Sequence, residues 1–251
     1  MAAIDLNCDL GESFGAYKIG MDSEVLPYIT SANVACGFHA GDPLVMDRTV
    51  ALCSEHRIHV GAHPGFPDLI GFGRRNMVVT PDEAKAYIVY QIGALKGFCD
   101  ARGLRLNHVK PHGALYNMAG KDLALARAIA AGIQAVDKSL VLLALSGSQM
   151  IEAAKEIGLP YASEVFADRA YQSDGSLVPR SQAGAMIEDE DEAVARVIRM
   201  AKDGKVTAVD GTEIDIQADS VCVHGDGVKA LAFVQKISQE LVRAGVEIRA
   251  F

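Results

Sequence analysis

Polar and apolar residues alternate with a period of two in a series of short segments, and between these segments apolar residues recur at helical spacing. Over residues 3–9, Ile4, Leu6 and Cys8 share one strand face while Asp5, Asn7 and Asp9 share the other. Ile58, Val60 and Ala62 likewise oppose His59, Gly61 and His63. His108 and Lys110 fall on one face, and Val221 and Val223 oppose Cys222 and His224, with Asp226 just beyond. Fully buried parallel strands read as continuous apolar runs. These segments carry a polar face that needs an interior of its own, which a barrel offers and a sheet covered by helices on both sides does not.

The pattern predicts strands at residues 3–8, 32–36, 58–62, 105–109, 140–145, 161–166 and 220–224, with a weaker one at 246–250. Helices between them carry start and stop signals. Asp42-Pro43 supplies an N-cap and a first-turn proline ahead of VMDRTVALCSEH, and Thr80-Pro81-Asp82-Glu83 reads as a capping box. Ser148 is placed to cap QMIEAAKEI, which Gly158 ends. Further helices are predicted at 122–136, 189–202 and 228–244. Asp210-Gly211, between the alternating runs of VTAVDGTEIDI, signals a β-hairpin inserted near residues 205–217. The expected fold is α/β: a TIM-like (β/α) barrel of seven or eight strands, occupying residues 1–251 as one domain.

Chemistry concentrates where these strands end. The ends read Asn7-Cys8-Asp9-Leu10-Gly11-Glu12, Cys36-Gly37-Phe38-His39-Ala40-Gly41-Asp42, His63-Pro64-Gly65, Lys110-Pro111-His112-Gly113, Ala167-Asp168-Arg169 and His224-Gly225-Asp226. Parallel barrels build their active sites from the C-terminal ends of several strands at once. Asp9 and Glu12 suit a base and its electrostatic partner, or a metal; a capped turn is the plainer alternative. His39, His63, His112 and His224 suit proton transfer or metal ligation, against the alternative of hydrogen-bonded core histidines. Lys110 is an anion anchor whose pKa burial would lower. His108 and His59, deeper in their strands, are expected to be structural supports, and His56 to face solvent. Asn7, Asp42, Asp168 and Arg169 join the candidate substrate-binding set, as do Arg74 of the Arg74-Arg75 pair and Arg180, in loops that could close on an anion. Cys8 and Cys36 sit near the expected cleft.

Composition narrows the classes. Of 251 residues, 50% are hydrophobic and 22% charged, enough to bury a sizeable core, so disorder is excluded. A formal net charge of −8 argues against nucleic acid and anionic membrane surfaces, which demand clustered Lys and Arg. The start, MAAIDLNCDLGESFG, lacks a basic region before its apolar residues, and no apolar run approaches a membrane span, so neither a secretory leader nor a membrane is expected. Five cysteines without a CxxC pair favour reduced thiols in a cytoplasm. The chain contains no GxxxxGK[ST], GxGxxG after a strand, HExxH or GxSxG motif, so the usual cradle for a nucleotide is missing.

The segments DLNCDLGESFG, ANVACGFHAGDP, GAHPGFPD, GFGRR, HVKPHGALYN, EVFADRAY and VPRSQAGAMI occur in this order across essentially the whole chain. In this the sequence resembles the LamB/YcsF family, which supplies one of the components of bacterial 5-oxoprolinase, its A component. The resemblance implies a barrel related to those of glycoside hydrolases and polysaccharide deacetylases. It implies ATP-dependent opening of 5-oxo-L-proline (pyroglutamate) to L-glutamate with the partner B and C subunits, Mg accompanying the ATP, and a further divalent metal as an option. A γ-lactam is a stable amide, and phosphorylation of its oxygen by ATP would activate the carbonyl. Asp9, Glu12, His63, Lys110 and His112 are then the expected catalytic groups, with an arginine helping Lys110 to stabilise negative charge. Two other classes stay open: a stand-alone metal-dependent amidohydrolase or carbohydrate deacetylase, which the absence of closely spaced histidines disfavours, and a non-catalytic binding or scaffold subunit.

Overall fold

A computed structural model describes residues 2–223 and 228–251. The strands are β1 (Ala3–Leu10), β2 (Ser31–Ala35), β3 (His59–His63), β4 (Leu106–Val109), β5 (Val141–Leu145), β6 (Tyr161–Phe166), β7 (Lys205–Thr207), β8 (Glu213–Asp215), β9 (Ser220–Val223) and β10 (Glu247–Ile248). The helices are α1 (Asp22–Val25), α2 (Pro43–His56), α3 (Pro81–Ala101), α4 (Gly113–Ala119), α5 (Leu123–Val136), α6 (Gln149–Ile157), α7 (Glu190–Asp203) and α8 (Val228–Arg243).

β1 to β6 follow one another in parallel, and β9 joins β6 to β1, which closes a barrel of seven strands. The strand predicted near the end of the chain is short and lies outside the ring: β10 pairs only with Ala3 and Ile4, before β1 turns to meet β9. β7 and β8 form an antiparallel hairpin between α7 and β9. Among the described residues no helix is long and apolar enough to cross a membrane.

The period-two pattern sorts the strand faces. Ile4, Leu6, Cys8 and Leu10 of β1 are buried in the apolar core, and so are Val221 and Val223 of β9. The opposite faces fill the barrel with hydrogen-bonded polar groups, which makes their burial tolerable. Lowest, the Asp5 carboxylate accepts from Thr30 and Ser31, each at 2.6 Å, and from Ser220. Above it, Asn33 Nδ2 donates to Asn7 Oδ1 at 2.8 Å, and Asn7 Nδ2 donates to Ser220 at 2.7 Å. Gly61 has no side chain because the ring of His108 crosses its place on the way to Asn33; a Cβ there would lie 2.0 Å from His108 Nε2. His59 departs from expectation, being exposed at the first residue of β3 instead of supporting the interior.

Helix starts follow the sequence signals with one exception. Asp42 accepts from the N–H groups of Leu44 and Val45, and Thr80 and Glu83 complete a reciprocal capping box. Gly158 ends α6 in the left-handed conformation. Ser148 occupies the N-cap position of α6, but its hydroxyl makes no cap hydrogen bond.

Candidate active site

The strand ends open into a cavity of about 860 Å³ whose wall includes Asp9, Glu12, His63, Lys110 and His112. These residues come from well-separated parts of the chain: Asp9 from β1, Glu12 from the turn after it, His63 from the end of β3, and Lys110 and His112 from the link between β4 and α4. Their meeting point is polar, tightly packed and largely shut off from water.

Lys110 is the hub. Its ammonium lies 2.7 Å from Glu164 Oε1 and 3.1 Å from Asp9 Oδ1, and donates to Asn7 Oδ1 at 3.2 Å. Burial by itself would depress the pKa of this ammonium, as expected from the sequence, but Asp9, Cys222 and Glu164 outweigh it and hold the pKa well above the ordinary value. Lys110 is therefore a fixed cation. Burial also works against the charge of Asp9, yet His63 and Lys110 keep its carboxyl well below the usual carboxylate range. Asp9 Oδ1 accepts from Asn33 at 2.9 Å, while Oδ2 sits 3.2 Å from His63 Nε2.

The histidines pack as a group. His63 Nδ1 lies 2.7 Å from the carbonyl oxygen of Lys110, and His112 Nε2 lies 2.8 Å from that of Phe72. A carbonyl can only accept, so each of these nitrogens carries the hydrogen. The two remaining nitrogens, His63 Nε2 and His112 Nδ1, then face one another at 2.9 Å. His39 is fully buried and lies flat on His112, ring centroids 3.7 Å apart. Burial and the neighbouring imidazoles push the His39 pKa well down, and that of His112 to about 3. Glu12 Oε1 is 3.8 Å from His39 Nε2 and 3.9 Å from His112 Nδ1. One donor atom from each of Glu12, His39, His63 and His112 lies within 4.8 Å of all the others. Glycines make this crowding possible: a Cβ on Gly65 would lie 2.6 Å from His39 Nδ1, and one on Gly73 2.8 Å from His112 Cδ2.

The other candidates are distributed differently. Arg74, Arg169 and Arg180 also line the cavity. Arg74 is exposed and reaches over the Phe72 ring, whereas Arg169 is buried and donates to the carbonyl of Val178 at 2.6 Å. Asn7 lies beneath the cavity, tying Lys110 to Asn33 and Ser220, so it acts on the site from below. Asp42 caps α2 and accepts from Gly15 N–H at 2.8 Å, and it is not part of the cavity wall. Asp168 is half-buried beside the wall to which its neighbour Arg169 belongs. Arg75 turns away to Asp68. His224 and Asp226 lie outside the described residues.

Three contributors escaped the sequence reading. Glu164 is fully buried and pairs with Lys110, Tyr116 donates to Glu164 Oε2 at 2.6 Å, and Cys222 Sγ approaches Lys110 Nζ at 3.2 Å. Cys222, not Cys8 or Cys36, is thus the thiol at the centre; Cys36 turns its Sγ to the carbonyl of Val34. A signal for Glu164 existed: in YASEVF it is the one charged residue of a strand, on the same face as Ala162 and Phe166.

The profile of the LamB/YcsF family matches residues 4–251. The chain belongs to the LamB/YcsF family. Within this family, the 5-oxoprolinase A subunit of Clostridium beijerinckii is 64% identical over 99% of this chain and 97% of its own length. The Bacillus subtilis protein of the same name is 59% identical over 100% of this chain and 97% of its own. Among solved structures, the lactam utilization protein from Thermus thermophilus superposes with a TM-score of 0.94 at 48% identity, covering 99% of this chain and 100% of that one. The seven-stranded barrel is therefore an architecture this LamB/YcsF chain shares with a solved relative along its whole length.

Proposed function

We propose that this LamB/YcsF chain is the A component of an ATP-dependent 5-oxoprolinase, which opens the lactam of 5-oxo-L-proline to L-glutamate together with the B and C subunits. The observation that carries the reading is the buried Asp9–Lys110–Glu164 array at the base of the cavity: a fixed cation between two carboxylates, in a chain whose relatives bear names that state this activity.

ATP, with its Mg, is a consumed co-substrate in this reading and activates the lactam oxygen by phosphorylation. Water then adds to the ring carbonyl carbon, giving a tetrahedral adduct that bears a hydroxyl, the phosphorylated oxygen and the ring nitrogen. Asp9, ionised and turned partly to the cavity, accepts the proton of that water as the C–O bond forms. The C–N bond breaks as the nitrogen takes up a proton, and hydrolysis of the resulting acyl phosphate leaves the glutamate side-chain carboxylate and phosphate. Lys110 stabilises the negative charge of the adduct from a fixed position, so no reorganisation is needed as charge develops. Arg74, Arg169 and Arg180 supply cations on the wall for the substrate carboxylate. Glu12, His63 and His112 form the rest of the polar floor. Five buried cysteines, none joined in a disulfide, suit a reducing cytoplasm.

The test is release of glutamate and phosphate from 5-oxoproline plus ATP, with the purified chain alone and with the B and C subunits. Glutamate is expected only with the partners. Its absence under both conditions would refute the reading, and chelator-sensitive product from the chain alone would favour a stand-alone metal hydrolase.

A further inference from the structure

His63 and His112 each direct one N–H at a backbone carbonyl, and their second nitrogens, His63 Nε2 and His112 Nδ1, meet at 2.9 Å. Asp9 Oδ2 lies 3.2 Å from the same His63 nitrogen, so two imidazole nitrogens and a carboxylate converge on one point, an arrangement that a cation satisfies. Metal-bound histidines characteristically direct their second N–H to a carbonyl or carboxylate, which fixes the tautomer and aims the lone pair. Both rings already have that arrangement.

His39 adds a third ring. Among the described residues neither of its ring nitrogens has a hydrogen-bond partner, although the side chain is 0% exposed. A buried polar atom left unsatisfied is costly, and a ligand on this imidazole would remove that cost. Glu12 contributes an oxygen 3.8 Å and 3.9 Å from the nearest nitrogens of His39 and His112. Tetrahedral N/O coordination at bond lengths of 2.0–2.1 Å puts donors roughly 3.3–3.4 Å apart. The separations of 2.9, 3.8 and 3.9 Å lie on either side of that value, and the four donor atoms together span up to 4.8 Å, so the side chains draw in when they close on an ion.

We propose that Glu12, His39, His63 and His112 form a binding site for one divalent transition-metal ion. A set with three nitrogen donors selects a zinc- or cobalt-like ion over Mg²⁺ or Ca²⁺, which prefer oxygen. The site is thus separate from the Mg that travels with ATP. An ion lies close to the plane of each imidazole that binds it, so His39, stacked flat on His112, joins only by tilting out of the stack. His63 and His112 are the anchors and His39 the ligand that closes. An ion held there would acidify a bound water.

The test uses the full-length chain without substrate or partner subunits, so its outcome is independent of whether the chain opens a lactam. After stripping with a chelator and dialysis, the protein is titrated with Zn²⁺ by calorimetry and with Co²⁺ by visible absorption, and total metal is counted by mass spectrometry. One equivalent is expected, with intense d–d bands for Co²⁺ that report coordination number below six. His63→Ala and His112→Ala should each weaken binding by at least about 100-fold, and His39→Ala by less. Circular dichroism and the cooperative melt establish that each variant is folded. Should the alanine variants unfold, the wild-type Co²⁺ spectrum decides alone: octahedral, weak bands or no binding would overturn the proposal. Undiminished Zn²⁺ affinity in folded His63→Ala would overturn it equally.

Discussion

The Lys110 ammonium stands 2.7 Å from the Glu164 carboxylate, with both side chains buried: 4% and 0% exposed. Taking two charges out of water costs several kcal/mol each, and it is tolerated where geometry and further hydrogen bonds compensate. Tyr116 supplies one of those bonds to Glu164, and Asp9 and Asn7 supply others to Lys110. Removing one partner strands the other. Glu164→Gln should therefore lower the unfolding free energy by about 3 kcal/mol, read as a shift of the urea midpoint at constant slope. A change below about 0.5 kcal/mol, the size seen for exposed pairs, would show that the bridge is not isolated from water.

Asp9→Asn keeps the shape of the site and removes its charge. With the B and C subunits present, kcat for glutamate formation should fall by about 10²–10⁴-fold while the melting curve stays cooperative. Arg74→Ala, at the exposed rim, should act mainly on KM for 5-oxoproline. Full activity of Asp9→Asn would remove it from the mechanism.

Gly61→Ala places a methyl inside the ring of His108. Overpacking of this kind costs typically about 1–3 kcal/mol. Because the clash is with one side chain, the double variant Gly61→Ala/His108→Ala should be less destabilised than the sum of the two single changes. Strict additivity in chemical denaturation would mean that the strain lies elsewhere.

Burial pushes the Cys36 and Cys53 thiols up to about 12 and Cys99 up to about 11, and all five cysteines are buried. A thiol at 12 is thiolate in only roughly 1 of 3,000 molecules at pH 8.5. Ellman's reagent should label none of them in the native protein at that pH, and all five after addition of guanidinium. A fast native equivalent would contradict this packing.

Asp68 accepts from Arg75 and from Gly71 N–H, and the Arg75 guanidinium lowers its pKa to about 2. The group is ionised in the fold well below the value at which the unfolded chain protonates, so its contribution is complete above pH 3.8 and disappears as pH falls through about 2. Asp68→Asn should narrow the stability difference between pH 5 and pH 2 seen by thermal melts. An unchanged acid profile would show that this turn contributes nothing to acid stability.

How much of this was legible in the chain differs by level. Period-two alternation marked β1, β3 and β9 and assigned Asp5, Asn7, Asp9 and His63 to a polar interior, because the direction of a strand side chain depends only on its parity. Capping by Asp42 and Thr80 was equally local, since such caps reach only three residues along the chain. The sequence alone therefore determined the seven barrel strands, the polar faces of β1, β3 and β9 and the strand ends that carry chemistry, but not that the last strand lies outside the ring or that β6 turns Glu164 inward. It left undecided which groups touch. His39, His63 and His112 are far apart in the chain and show no ligand spacing, yet closure of the ring brings them together. Asp9 and Glu164 meet Lys110 across the barrel, and these contacts, not burial alone, set the charge of the lysine. Contacts and pKa values are properties of three-dimensional neighbours, so the tertiary structure alone could make Glu164 the counter-charge of the site and leave Asp42, already legible as a helix cap, outside the cavity wall.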